Sequence, residues 1–307
     1  MPTVLSAEQL ECDLSVRDLT DPAEGPHAIQ LVTATAARAL AARWGCQVRW
    51  CRGERLVPVA DNYDLLGYDP ADVTREARYT RYVTARQMLR SHSSALIPPA
   101  LRALAAEPAG DVLLVCPALV YRRDSIDRLH TGTPHQLDLW RVTRREPAMT
   151  HADLREMIAV LLGALLPGAR HRLEPRTHPY TVDGRQIDVR HGDDWVEVGE
   201  CGLAHPQVLR NAGLDGTHSG LALGADAARV ESVEIAHRTP CAALPGQARS
   251  RLGAADGQDN LLVRVVLRDL DRTLTDADAN LLRDRIYAAI HQGSEHQWAG
   301  VGPPPHR

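Results

Sequence analysis

Gly202-Leu203-Ala204-His205-Pro206-Gln207-Val208-Leu209-Arg210-Asn211-Ala212-Gly213 is the stretch on which the fold turns. A run with this order of residues is hard to explain by chance, so its neighbours are read together with it. Upstream, residues 186–190 and 195–199 read as strands, and Gly192-Asp193-Asp194 between them is a hairpin signal. Downstream lies Ser219-Gly220-Leu221-Ala222-Leu223-Gly224.

Farther out, the apolar spacing of Ile29, Leu31, Val32, Ala36, Ala39 and Leu40 predicts a helix over 26–43, stopped by Gly45 and followed by a strand over 46–50. The first twenty residues are mixed and acidic, too short for a domain. Asn, Gly, Asp and Pro over 61–72 signal a loop. A helix over 98–106 and strands over 111–120 and 137–142 come next. Thr150 and Asp153 have capping-box spacing at the start of a helix over 150–166. Ala, Gly, Gln and Pro over 240–260 read as a long loop, before a strand over 261–268 and a helix over 275–291 that begins Thr275-x-x-Asp278. The Pro303-Pro304-Pro305 tail is expected to fray. This order of elements suggests an α+β protein with a largely antiparallel sheet flanked by helices.

Composition narrows the function classes. The chain has 307 residues, a net charge of −4, 44% apolar and 24% charged positions, which suits a globular protein. It has no Phe and no Lys, so all 35 basic side chains are Arg. The near-neutral balance leaves no basic footprint for nucleic acid, and any tRNA contact would need a local Arg face. Cys12, Cys46, Cys51, Cys116, Cys201 and Cys241 form no C-x-x-C, which argues against a zinc site or a disulfide framework. No apolar run approaches the roughly 18 residues of a spanning helix. The expectation is a reduced, cytoplasmic protein that does not enter a membrane.

Four segments carry a resemblance. They are Leu89-Arg90-Ser91-His92-Ser93-Ser94; Val120-Tyr121-Arg122-Arg123-Asp124 with His130 and His135-Gln136-Leu137-Asp138; Trp195-Val196-Glu197-Val198 through Gly213; and Ser219 through Gly224. In order and spacing they resemble the catalytic α subunit of phenylalanyl-tRNA synthetase, a class II aminoacyl-tRNA synthetase. Within that group the chain looks most like the ligase-like paralogues of high-GC bacteria, the so-called mystery ligases. The resemblance implies a class II catalytic core over 26–224, preceded by an N-terminal extension over 1–25. A partial ferredoxin-like, anticodon-binding-type domain over 225–298 and a tail over 299–307 would follow.

The resemblance also implies ATP and Mg²⁺, and an activity in which an amino-acid carboxylate meets the α-phosphorus of ATP. Two anions meet there, so fixed positive charge is needed, and a guanidinium suits the task better than an ammonium. Arg122 matches the family's motif 2 Arg, Asp124 the acidic residue on the nucleotide, and His130 a position near the outer phosphates. Pro134 stands where a ring stacks on adenine, and Glu197 where a carboxylate suits Mg²⁺. Gln136 and Asp138 match the pair that holds the substrate ammonium, with Asp in place of the usual Glu, and His92 and Ser94 match residues lining the amino-acid site. Read singly, each of these could be a solvated or satisfied surface group.

Several positions depart from the family. Arg229 has the spacing of the motif 3 Arg, but residues 225–235 also read as the end of a helix and the second strand of the tail domain. A Phe-Pro-Phe turn is replaced by His178-Pro179-Tyr180, and Glu200 stands where Gly is usual, while Ala222 is kept. Tyr121, Leu221 and Leu223 also take places where the family uses Phe. Together these favour a more polar or cationic substrate than phenylalanine, although His178 and Glu200 could simply pair with each other. The expected activity is an ATP-dependent, aminoacyl-adenylate-forming ligase, with a homodimer formed through the motif 1 helix. The alternatives are a catalytically degenerate binding or regulatory protein, or an adenylating ligase with a non-tRNA acceptor.

Overall fold

The computed structural model describes residues 4–122, 132–191, 194–226, 232–266, 287, 291 and 293–295. The chain divides into two compact units, Met1–Ala228 and Arg229–Arg307.

The first unit is built on a seven-stranded sheet with strand order β1-β4-β5-β9-β8-β7-β6. Its strands are β1 (Gln47–Trp50), β4 (Asp111–Leu119), β5 (His135–Thr143), β6 (His171–Pro175), β7 (Thr181–His191), β8 (Asp194–Ala204) and β9 (Ser219–Asp226). Only β1 on β4 is parallel; every other pairing is antiparallel. A small antiparallel pair, β2 (Leu56–Pro58) with β3 (Gln87–Leu89), stands apart from it. The α+β expectation holds, with the sheet covered on both faces.

Period-2 alternation sorts the sheet residues into two cores. Leu113, Val115, Leu139, Leu221 and Leu223 point to α2 (Ala28–Trp44) and α5 (His151–Leu165), meeting Ala36, Leu40, Leu154, Met157 and Ile158. Val112, Leu114, Trp140, Val142 and Ala222 face the opposite way, toward α4 (Ile97–Ala106) and α6 (Pro206–Asn211). Local signals act as read. Gly45 ends α2 with φ +64°, and Thr150 and Asp153 form both halves of the capping box on α5.

Other expectations need correction. The first twenty residues contain α1 (Ala7–Ser15), started by a Ser6–Gln9 capping box. No α1 residue is fully buried, so the helix lacks the apolar stripe that would have announced it. The 61–72 loop begins with α3 (Val59–Asn62) and a 3-10 turn over Asp64–Leu66, because Asp61 and Asn62 are buried and hydrogen-bonded instead of solvated. Residues 225 and 226 are the end of strand β9, not of a helix, since they pair with β5.

In the second unit, β10 (Ser232–Pro240) pairs antiparallel with β11 (Asp259–Val266). The expected 240–260 loop holds a 3-10 turn over Cys241–Ala243 and α7 (Gly246–Leu252), which Gly253 ends in the left-handed region at φ +57°. The expected helix over 275–291 and the proline tail lie outside the described residues. Among the described residues no helix is long and apolar enough to cross a membrane.

Candidate active site

The β4–β5–β9–β8 register gathers the sequence-selected residues on one face of the sheet. Gln136 pairs with Ala118, Asp138 with Cys116 and Gly224, Ala222 with Trp140 and Gly202, and Glu200 with Gly224. Directly opposed residues point to the same side, so Gln136, Asp138, Ala222 and Glu200 share the face that carries Trp140.

Glu197 reaches that face by a bulge. In the β7–β8 ladder Gln186 pairs with Glu200 and Ile187 with Gly199, but Asp188 pairs with Glu197, leaving Val198 over. Residues three apart on a regular strand face opposite ways; the extra residue restores Glu197 to the side of Glu200. Glu197 is exposed there, and Asp188 opposite is bound by Arg172 at 2.9 Å.

Above this face sits the 89–96 segment. Ser93 and Ser94 start a 3-10 turn whose hydroxyls both reach Asp138. The Ser93 hydroxyl bonds Asp138 Oδ2, the Ser94 hydroxyl lies 3.1 Å from the same oxygen, and Trp140 Nε1 donates to Oδ1 at 3.2 Å. The Ser93 backbone N–H donates to Gln136 Oε1 at 3.0 Å. The candidate ammonium-binding pair is thus also the anchor of the loop that carries His92.

His92 is held neutral. Burial, with the Arg122 charge beside it, lowers its pKa to about 3. The buried Asn62 side chain explains the tautomer. Its Oδ1 accepts from the Ser91 N–H at 3.0 Å, so its Nδ2 is the atom 3.3 Å from His92 Nε2. An amide N–H faces that ring nitrogen, which must accept, and the proton sits on Nδ1. Nδ1 is buried with no aligned hydrogen-bond partner.

Arg122 follows the end of β4. Its backbone N–H bonds the Gly132 carbonyl at 2.9 Å and its Nε the Ser91 carbonyl at 3.0 Å, which ties the motif 2 position to the His92 segment. Pro134 stands just before β5, its carbonyl accepting from Val120. Asp124, His130 and Arg229 lie outside the described residues.

An aromatic file lines the site. His92 stacks on Tyr68 at 5.7 Å between centroids, Tyr68 lies 6.3 Å from Tyr180, and Tyr180 packs on both His178 at 5.6 Å and Trp140 at 6.2 Å. Burial raises the Tyr180 phenol well above its ordinary value, so it stays protonated, and it shares a hydrogen bond with Ser94. Tyr68 was not selected from the sequence. The signal was Gly67 before it, which takes φ +85° and brings the backbone against the Pro179 carbonyl, where an added Cβ would come within 3.1 Å.

Glu200 is not a bare carboxylate in the site. Arg176 Nε donates to its Oε1 at 2.9 Å, and His178 Nε2 lies 2.8 Å from Oε2, an ion-pair contact without hydrogen-bond alignment. Burial would raise its pKa, but His178 and Arg176 outweigh that and hold it below the usual carboxylate range. The pairing of His178 with Glu200, one of the two readings open in the sequence, is the one found.

Arg81 also escaped the sequence reading. Its η2 nitrogen bonds the carbonyls of Arg122 at 2.8 Å and Gly132 at 3.0 Å. Asp13 on α1 holds its other end.

The family described as "tRNA synthetases class II core domain (F)" matches residues 26–236. The chain belongs to the class II tRNA synthetase core family. A phenylalanine-tRNA ligase alpha subunit from Mycobacterium avium (strain 104) is 34% identical over 173 residues, covering 53% of this chain and 48% of that protein. One from Nostoc punctiforme is 29% identical over 164 residues, with the same coverage of 53% and 48%. The chain thus spans about half the length of these curated relatives. A solved structure, Desulfitobacterium hafniense PylSc, a pyrrolysyl tRNA synthetase, aligns with a TM-score of 0.47 and 16% identity over 71% of this chain and 70% of that one.

Proposed function

We propose that this class II core is an ATP-dependent, aminoacyl-adenylate-forming ligase whose amino acid is not phenylalanine, and that it belongs with the ligase-like paralogues. The observation carrying the reading is the convergence of Arg122, His92, Ser94, Gln136, Asp138, Tyr180, Glu200 and Ala222 on one sheet face and its covering loop. In the reaction a substrate carboxylate oxygen bonds to the α-phosphorus, the bond from that phosphorus to the β-phosphate bridge breaks, and pyrophosphate leaves. Arg122 offsets charge at the α-phosphate, and Arg229 is the motif 3 candidate by its spacing alone. Asp124, His130 and Pro134 complete the ATP contacts. Asp138 and Gln136 supply acceptors for the ammonium.

Among the described residues no group of three or more acidic, His or Cys side chains could hold a metal alone. Mg²⁺ at a nucleotide needs only one or two carboxylates beside the phosphates, and the exposed Glu197 would offer one. The ion would supply positive charge at the departing pyrophosphate.

The substrate side of the pocket supports a polar amino acid. His178-Pro179-Tyr180 in place of a Phe-Pro-Phe turn favours it, with the Tyr180 phenol kept protonated beside Ser94. The acceptor is tRNA, a small molecule or a carrier protein. The β10–β11 pair is what a ferredoxin-like, anticodon-binding-type domain would contribute. A homodimer through α2 and β1 is supported by the outward Leu31 and Trp50, 71% and 48% exposed. With six free cysteines, the chain suits a reducing compartment such as the cytoplasm.

ATP–pyrophosphate exchange across a panel of amino acids decides the matter. Exchange with a polar amino acid and little with phenylalanine is expected; exchange with none overturns the ligase reading. One observation favours a degenerate binding protein instead, namely that the Asp138 carboxylate already accepts from Ser93, Ser94 and Trp140. On that reading ATP titration detects no binding to the folded chain.

A further inference from the structure

A pair of cysteines stands at the back of the candidate site. The Cys51 N–H donates to the Val115 carbonyl at 2.8 Å. In a parallel ladder an N–H that bonds residue j−1 belongs to the residue paired with j, so Cys51 extends the β1–β4 register by one and stands beside Cys116. Neighbouring strands lie about 4.7–4.9 Å apart, within the roughly 4.4–6.8 Å that disulfides span between Cα atoms. The Cys51 thiol donates to the Arg49 carbonyl at 3.5 Å, Cys51 and Cys116 line the same core on that face of the sheet, and both are free thiols. Cys116 in turn pairs across β4–β5 with Asp138, on the face of the candidate site.

We propose that Cys51 and Cys116 are a thiol–disulfide site, oxidised by a peroxide, whose closure alters the amino-acid pocket at Asp138. The Cys51 thiolate attacks hydrogen peroxide; an S–O bond forms, the O–O bond breaks and the departing hydroxide takes up a proton as water. The Cys116 sulfur then attacks the Cys51 sulfenic acid; the S–S bond forms, the S–O bond breaks, and a second water leaves with the Cys116 proton. Two thiols are oxidised and one peroxide is reduced. A dithiol reverses the step.

The two thiols differ in a way that sets their order. The Cys51 thiol lies below its ordinary value beside Cys116, while burial pushes Cys116 well up. Cys51, half-buried at the sheet edge, is the attacking group, and Cys116, fully buried, resolves it. Closing the bond draws the Cys116 sulfur toward β1, away from its cross-strand neighbour Asp138. The formation of the disulfide is independent of the ligase reading; only its effect on exchange rests on it.

The test treats the full chain with hydrogen peroxide, blocks remaining thiols with N-ethylmaleimide and maps unreduced peptides by mass spectrometry. The expected result is a Cys51–Cys116 cross-link two hydrogens lighter than the thiols, dominant over any other pair and reversed by dithiothreitol. C51S and C116A abolish it, and C12S does not. Native peptide maps in which Cys51 is oxidised to sulfinic acid with no cross-link overturn the proposal, as does a dominant pair other than 51–116. Where exchange activity is present, oxidation lowers it in the wild type and leaves C51S unaffected; loss in both overturns the link to Asp138. If no exchange occurs at all, the cross-link still stands or falls on the peptide map, and only the ligase reading has failed.

Discussion

Replacing Asp18 with Asn should unfasten the N-terminal segment from the core. Asp18 is 6% exposed. Its Oδ1 accepts from the Thr20 N–H at 2.9 Å and the Thr20 hydroxyl at 2.7 Å; its Oδ2 accepts from the Leu119 N–H at 3.2 Å and Arg90 at 3.4 Å. Asparagine can keep the first pair, but its NH₂ then confronts two donors, and Arg90 loses the only carboxylate it pairs with among the described residues. Breaking a buried ion pair from one side costs about 3–5 kcal/mol. The long Arg90 contact and its three backbone carbonyl partners, Leu119, Gly53 and Glu54, place this case at about 3 kcal/mol. For a unit of this size that is a melting-point loss of roughly 6–12 °C.

The pH dependence follows from the same contacts. Burial would raise the Asp18 pKa, but hydrogen bonds from Thr20 and Leu119 and the Arg90 charge outweigh it and hold the folded value below 3.8. A depressed folded pKa means a contribution present in full above pH 3.8 and lost as pH falls through the folded value. The wild-type advantage over Asp18→Asn is therefore full at neutral pH and closes toward acid. Denaturation followed by tryptophan emission reads this, since Trp44, Trp50, Trp140 and Trp195 all lie in the first unit. A neutral-pH melting difference under about 3 °C, or a gap that widens on acidification, would refute the reasoning.

Arg122→Lys keeps the charge but loses the planar fork and the Nε bond to Ser91, so exchange should fall by about 10²–10³-fold with the melting point nearly unchanged; an unchanged rate counts against Arg122 at the α-phosphate. Gly199→Ala would drive a Cβ to 2.4 Å from the Gly224 carbonyl, and backbone cannot yield cheaply, so a loss of about 1–3 kcal/mol is expected in denaturant melts. Gly224→Ala meets only Asp138 at ordinary contact, 3.8 Å, and should melt within about 1 °C of wild type while reporting on the site by its exchange rate. Glu200→Gln should cost about 1 kcal/mol or less at neutral pH, because Arg176 is half exposed, with the difference vanishing as pH falls through the depressed Glu200 pKa; a larger effect at acid pH would contradict the pairing.

Much of the first unit was legible because its signals are local. The α2 stripe and Gly45, the Thr150–Asp153 box and the strands around Trp140 each announce themselves within a few residues. The site residues were legible as a set because the motif order around 202–213 is specific, not because any single His or Arg declares a role. Where local signals were thin, reading failed. Asp61 and Asn62 look like loop residues, yet they are buried because Arg102 and Ser91 satisfy them.

The amino-acid sequence by itself determined the family, the helix stops and caps, and the residue types available for phosphate and ammonium contacts. Tertiary structure alone decided their state. One unmatched residue, Val198, turns Glu197 onto the face of Glu200. Asn62 sets the His92 tautomer from 30 positions away, and Leu119 fixes Asp18 across 101. Helix caps and turns are written in neighbouring residues, which is why a linear reading finds them. Ion pairs, tautomers and shared strand faces depend on which distant segments meet, and only the folded chain brings those together.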